Sequence, residues 1–152
     1  MTVFNRLNSV FFCASFLLSN PMLLAKEAEM RSTIHPVIGF WEAVDQQTGC
    51  KETYQFNSNG TGEFTSGKEV VQITYEADPQ PNLHGFFKLK HTVESSNGEE
   101  DCTKSKSDLK VLQTSYLLFQ PDGYSFIACD SDEASLESCF GPMVLKVSVK
   151  LQ

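Results

Sequence analysis

Only one stretch of the 152-residue sequence is strongly apolar, close to the N-terminus, and no second run reaches membrane-spanning length. No Cys-x-x-Cys pair occurs, which argues against a four-cysteine zinc site. The three His residues show no His-x-x-x-His or other ligand spacing. Gly-x-Ser-x-Gly is absent, so no nucleophile elbow announces a hydrolase. A glycine loop able to cradle phosphate is absent too. No long 3.6-residue period runs through the chain, which removes helical bundles and alternating α/β folds. These gaps lead us to expect a protein that is not an enzyme and carries no cofactor and no metal.

The apolar stretch itself looks like an export signal. Arg6 gives a positive start, Val10 to Leu24 is mostly apolar, and Ala25 suits the position before a cut. Ser19-Asn20-Pro21 interrupts the run, so it is a poor membrane anchor. No Cys follows Leu23-Leu24-Ala25, which argues against a lipoprotein. The expected organisation is a signal over 1–25, a polar N-terminal strap over 26–37 and one β domain over 38–152, with the mature chain exported to a periplasm or secreted. Such a chain, about 127 residues long, can bury one modest core. No stable membrane span is expected after cleavage.

The formal net charge is -7, and loss of Arg6 with the signal takes it to about -8. An acidic surface repels nucleic acid and anionic membranes. It suits a basic partner or plain solubility.

Five cysteines are present, and Cys13 falls in the signal. Cys50, Cys102, Cys129 and Cys139 remain, an even number in an exported chain, which predicts two disulfides. Three pairings are open. Cys129 and Cys139 flank one polar loop and are easy partners, which leaves Cys50 with Cys102.

From Ile38 onward, aromatic and β-branched residues alternate with polar ones, and turn dipeptides recur at short intervals. Strands are expected near 38–44, 50–57, 61–65, 69–77, 85–94, 112–120, 124–130 and 143–151. The charged region 99–108 has room for one more, through Cys102. Asn59-Gly60 reads as a two-residue hairpin in which both residues take positive φ. Asp78-Pro79-Gln80-Pro81-Asn82 is a loop, because Pro cannot donate to a central ladder. Short turns favour antiparallel neighbours. The predicted fold is therefore all-β: an up-and-down meander of eight or nine strands that closes into a barrel and so removes its edges.

Gly39-Phe40-Trp41 holds the only Trp and opens the first strand. With the up-and-down strands and a disulfide, this segment resembles the lipocalin and lipocalin-like barrels. The resemblance implies that Trp41 packs at the closed end of the barrel and that a basic residue of the last strand crosses it. Lys146 is the nearest candidate for that residue and Lys150 the second. The resemblance also implies a small apolar ligand inside the barrel.

An eight-stranded barrel has room for one small ligand. The candidate lining is Tyr54, Phe56, Phe64, Tyr75, Phe87, His91, Tyr124 and Phe126, which could equally fill the interior. His91 falls on the apolar face of its strand, where it either contacts a ligand or sits satisfied in the core. The other expected function is that of an inhibitor or immunity-type protein acting outside the cytoplasm on a basic enzyme, such as a wall-degrading hydrolase. The loops available for it are Ser66-Gly67-Lys68 and the stretches 78–84, 99–106 and 130–137, the last two carrying the acidic clusters Glu99-Glu100-Asp101 and Asp130-Ser131-Asp132-Glu133. Ser66-Gly67 is similar, over two residues, to a loop of periplasmic lysozyme inhibitors. The last cluster lacks the Gly and distal Glu of an EF-hand, so solvated loops are the simpler reading of both acidic clusters. Asn59-Gly60-Thr61 also fits a glycosylation sequon.

Overall fold

A computed structural model describes residues 34–132 and 138–146. The expected signal, strap residues 26–33, Glu133 and Lys150 lie outside them. Eight strands follow one another: β1 (Gly39–Val44), β2 (Lys51–Phe56), β3 (Thr61–Ser66), β4 (Glu69–Ala77), β5 (Phe87–Ser96), β6 (Leu112–Phe119), β7 (Ser125–Cys129) and β8 (Cys139–Leu145). Each pairs antiparallel with the next, and β8 returns to β1, giving a closed barrel in simple meander order. The expected meander is therefore present, with eight strands among the described residues. Region 97–111, where a ninth was allowed, is a long loop.

Closure is completed by Trp41 opposite Leu145 and Glu42 opposite Val144. The register carries one set of side chains inward around the barrel: Trp41, Tyr54, Phe64 and Val71 lie in one row of partners. Tyr75, His91 and Gln113 lie in another. Outward neighbours such as Glu42, Gln55, Glu63 and Gln72 are polar, the alternation expected of a sheet with one wet face.

The meander sorts its connections onto two ends. Loops β1–β2, β3–β4, β5–β6 and β7–β8 share one end, called the mouth here. The connections β2–β3, β4–β5 and β6–β7 share the other, with the segment that leads into β1. That second end is packed shut. Trp41 is fully buried, and its indole Nε1 donates to the Val37 carbonyl at 2.7 Å. Its ring meets Phe126 edge-on at 4.8 Å and Phe119 at 5.9 Å, while Phe119 also abuts Phe87. The sequence led us to expect a base across this Trp. Lys146 instead points to the outer face and pairs with Glu42 at 2.7 Å. Outward residues alternate with inward ones, so a residue next to the inward Leu145 cannot reach the indole.

At the β2–β3 turn, Gly60 alone has positive φ (79°). The loop closes through Asn57 N–H donating to the Thr61 carbonyl, and Asn59 Oδ1 accepts the Thr61 N–H and hydroxyl at 3.1 and 2.7 Å. This longer loop replaces the expected two-residue turn, because the Asn59 side chain supplies a turn bond without Asn59 itself taking positive φ.

Both expected disulfides are present, Cys50–Cys102 and Cys129–Cys139. They span 52 and 10 residues. Closing loops of these lengths removes about 4 and 3 kcal/mol of unfolded-chain entropy. Cys50–Cys102 ties the β1–β2 loop to the long β5–β6 loop, so it braces the mouth.

Candidate functional site: the mouth half of the barrel

The interior divides into a filled half and a hollow half. At the closed end, Trp41, Phe87, Phe119 and Phe126 occupy the space. Toward the mouth lies a cavity of about 260 Å³, whose walls include Tyr54, Phe56, Phe64, Leu89, His91, Phe126 and Met143. Gln113, Ser115 and Asp130 add polar atoms, and the partly exposed Phe140 stands at its edge. A second space of about 170 Å³ shares Tyr54, Phe64, His91 and Gln113 and continues beneath the β5–β6 loop to Glu69 and Ser107.

The alternation of the strands explains which aromatics reach the cavity. Tyr54, Phe56, His91 and Phe126, all expected to line it, do so, as does Phe64. Tyr75 and Phe87 point inward but lie nearer the closed end. Tyr75 donates its hydroxyl to the Asn57 carbonyl at 2.6 Å, and Phe87 packs on Phe119 and His35. Tyr124 corrects the expectation: it is 56% exposed in the β6–β7 turn, away from the cavity, because the strand starts one residue later than the aromatic pattern suggests. Leu89, Gln113, Ser115, Ala128 and Met143 went unnoticed in the sequence as lining residues. Their signal is only that they share the inward parity of their strands.

The aromatic rings hold one another edge to face. Phe64 meets Tyr54 at 4.7 Å, Phe56 at 5.3 Å and His91 at 5.4 Å. Burial pushes the Tyr54 hydroxyl well above its usual range, and the neighbouring Glu52 carboxylate adds to this by charge and by accepting its hydrogen bond. Burial also holds the His91 imidazole below 6.5, partly offset by a hydrogen bond with the Gln113 side chain. His91 is therefore neutral at pH 7. Its Nδ1 is buried and has no hydrogen-bond partner.

Two carboxylates, Glu69 and Glu52, make hydrogen bonds near the mouth. Glu69 is 3% exposed. Its Oε1 accepts the Ser96 hydroxyl at 3.1 Å and the Ser107 N–H at 2.8 Å, and its Oε2 accepts the Ser107 hydroxyl at 2.9 Å. Glu52 accepts the hydroxyls of Tyr54 and Ser66. The Glu69–Ser107 bonds and Cys50–Cys102 fasten the β5–β6 loop at the rim, while Glu52 joins β2 to β3.

Two of the loops singled out as partner surfaces are brought together. The Lys68 N–H donates to the Glu100 carbonyl at 3.2 Å, and the Cys102 N–H donates to the Ser66 hydroxyl at 3.1 Å. A Cβ on Gly67 would lie 3.2 Å from backbone atoms of Asp101 and Cys102. Ser66, Gly67, Lys68, Glu99, Glu100 and Asp101 thus form one ridge on the rim. Asp130 lies at the cavity. Asp132 instead accepts the Asn82 side-chain N–H at 2.8 Å, which joins the β7–β8 loop to the β4–β5 loop. Among the described residues, no group of three or more His, Cys, Asp or Glu is arranged to hold a metal ion, and no helix is long and apolar enough to cross a membrane.

No model of a protein family, no curated protein and no solved structure matches the chain.

Proposed function

We propose that this is an exported, non-enzymatic binding protein of lipocalin-like architecture that holds one small apolar ligand in the mouth half of its barrel. The observation that carries the reading is the 260 Å³ cavity between aromatic and aliphatic walls, placed at one end of a barrel whose other end is packed solid. Binding sites of this kind combine an apolar lining with a few convergent polar groups. An engineered cavity of about 150 Å³ accommodates benzene, so this one scales to a ligand of about ten non-hydrogen atoms. The closed barrel and the buried Trp41 support the lipocalin-like description. Two disulfides are compatible with an oxidising, extracytoplasmic location.

Native mass spectrometry of protein recovered from an exporting host tests the reading. Added mass of about 150 Da, lost on denaturation, is the expected result. A bare mass, together with no chemical-shift change at the cavity residues on adding fragment-sized aromatics, would refute it.

A second reading has its own observation. The ridge of Ser66-Gly67-Lys68 against Glu99-Glu100-Asp101 gives a disulfide-braced acidic surface suited to a basic exported enzyme. Association through it would weaken steeply with salt. Capture of such an enzyme by the wild-type chain, lost in a Glu99→Lys, Glu100→Lys variant, would favour this reading over the first.

A further inference from the structure

We infer that the cavity takes a small organic cation, an apolar body carrying one ammonium group, with Glu52 anchoring the ammonium at the mouth and the body resting on the aromatic rings below. The inference rests on the ligand-binding reading above and gives that ligand a charged end.

The register sets the two levels. Tyr54 on β2, Phe64 on β3 and Val71 on β4 are partners in one inward row. Two residues toward the mouth, Glu52, Ser66 and Glu69 are partners in the next inward row. The strand rise puts the rows about 6.7 Å apart. Carboxylates therefore follow the rings on the way to the mouth. The space of about 170 Å³ spans both levels: Glu52, Glu69 and Asp101 line it together with Tyr54 and Phe64, the two rings it shares with the larger cavity.

The sign of the charge follows from the lining. Among the described residues, no Lys or Arg lines either space, His91 is neutral at pH 7, and the charged groups that remain are all carboxylates. The ion pairs of the described residues join Glu42 to Lys51 and Lys146, and Glu94 to Lys110. None includes Glu52 or the buried Glu69. A carboxylate taken out of water without a counter-charge is costly, and a cation beside these two supplies one. An anion would meet like charge on entry.

Glu52 has room for a donor. Its Oε2 accepts the Tyr54 hydroxyl and its Oε1 the Ser66 hydroxyl. A carboxylate offers about four lone-pair sites, so each oxygen keeps one for an ammonium N–H. Glu52 shares the inward parity of Tyr54 and is partly exposed, so an entering group reaches it from the mouth. A bare metal ion fits less well. Among the described residues no group of three or more His, Cys, Asp or Glu is arranged to hold one, and the apolar walls below call for a body that an ion lacks.

The test compares three probes built on one ring and one short arm: 2-phenylethylamine, propylbenzene and 3-phenylpropanoate. Each is titrated by calorimetry into the wild-type chain, Glu52→Gln and Glu63→Gln. Glu52→Gln keeps the shape of the side chain and removes its charge. Glu63→Gln removes the same charge from the exposed outer face of β3. We expect the amine to bind the wild type about tenfold tighter than either other probe, the worth of one charge-assisted contact. Glu52→Gln should lose that preference and Glu63→Gln should keep it. In the wild type, nuclear Overhauser contacts should place the probe ring against Phe64 and the methylene beside the nitrogen against Glu52. Equal affinity of the amine and propylbenzene for the wild type, or tighter binding of the propanoate, overturns the inference and leaves the cavity reading standing. So does the reversed pose, a result that needs no variant. A preference that survives in Glu52→Gln, or falls equally in both variants, overturns it as well, because the attraction would then belong to the acidic surface as a whole. Failure of all three probes to bind the wild type overturns both readings.

Discussion

Trp41 concentrates the closed end of the barrel into one side chain, so its replacement yields the sharpest prediction. The indole is fully buried, lies 4.8 Å from Phe126 and 5.9 Å from Phe119, and donates at 2.7 Å to the Val37 carbonyl. Trp41→Phe keeps a ring in place but leaves that carbonyl without its buried donor, a loss of about 1–3 kcal/mol. Trp41→Ala removes the ring as well and opens a void among groups that cannot collapse into it, a loss of about 3–5 kcal/mol. Small domains are stable by only about 5–15 kcal/mol, so the Ala variant should be close to unfolding at room temperature. Urea unfolding followed by far-ultraviolet circular dichroism measures both, since neither variant retains a Trp for fluorescence. The Phe variant should bind cavity probes as the wild type does, because Trp41 is not among the cavity walls. A Phe variant within about 0.5 kcal/mol of wild type would refute the role given to the Val37 hydrogen bond. An Ala variant that lost less than about 2 kcal/mol would refute the plug itself.

Two further predictions concern the mouth. Glu69→Ala strands the Ser107 N–H and two hydroxyls that now reach a carboxylate. The Ser107 amide should exchange with solvent much faster in that variant, with a stability loss of about 2–4 kcal/mol, while Cys50–Cys102 keeps the loop tethered; unchanged exchange would show that Glu69 does not hold the loop. Stability should also depend on pH through the histidines. Burial lowers the His91 and His35 pKa values below 6.5, opposed at His35 by Asp78. The unfolded chain therefore binds more protons just below pH 6.5, so stability rises with pH through that window and falls as the pH drops from 6.5. Glu42, lowered from 4.5 by Lys146 and then Lys51, acts only at lower pH, where its stabilisation is lost as it protonates. Urea midpoints at pH 5.5 and 7.5 sample the histidine range clear of Glu42, and His91→Phe should flatten the dependence between them.

How far the fold was legible depends on how local its signals are. Alternation in β4 and β5 is strong because Val71, Ile73, Leu89 and Val93 fall on one face and pack in the core. Those strands were readable to within a residue or two. The disulfides were readable because Cys129 and Cys139 flank one loop and only one other pair remained. Asn59-Gly60 marked a turn but not its length, since the deciding bond comes from a side chain. Lys146 was misplaced by a family analogy that its strand parity contradicts. Glu69 gave no signal at all: it looks like the polar start of a strand, and its burial depends on Ser96 and Ser107, residues far along the chain. The cavity was half legible. Inward parity was readable for Tyr54, Phe56 and Phe126, but whether aromatics fill or line a space depends on the level each reaches along the barrel. That level is set by strand stagger, which no window of sequence contains.

The two halves of the interior differ in a way that stability does not explain. At the closed end the large inward side chains are apolar, apart from the Trp41 indole N–H and the Tyr75 hydroxyl, both of which are satisfied. At the mouth, Glu52, Glu69, His91 and Gln113 all lie on the inward face. Buried charges are costly to desolvate, and replacing them with well-packed apolar groups is often neutral or stabilising. Glu69 recovers its cost through three hydrogen bonds, and Glu52 through two, and both serve to seat the rim. His91 does not: its Nδ1 is buried without a hydrogen-bond partner, on a residue that lines the cavity. Departures from local consistency of this kind concentrate at functional sites. The barrel thus reads as a closed cup whose inward polar groups gather at the mouth, and His91 is the one among these four that carries a buried nitrogen without a partner.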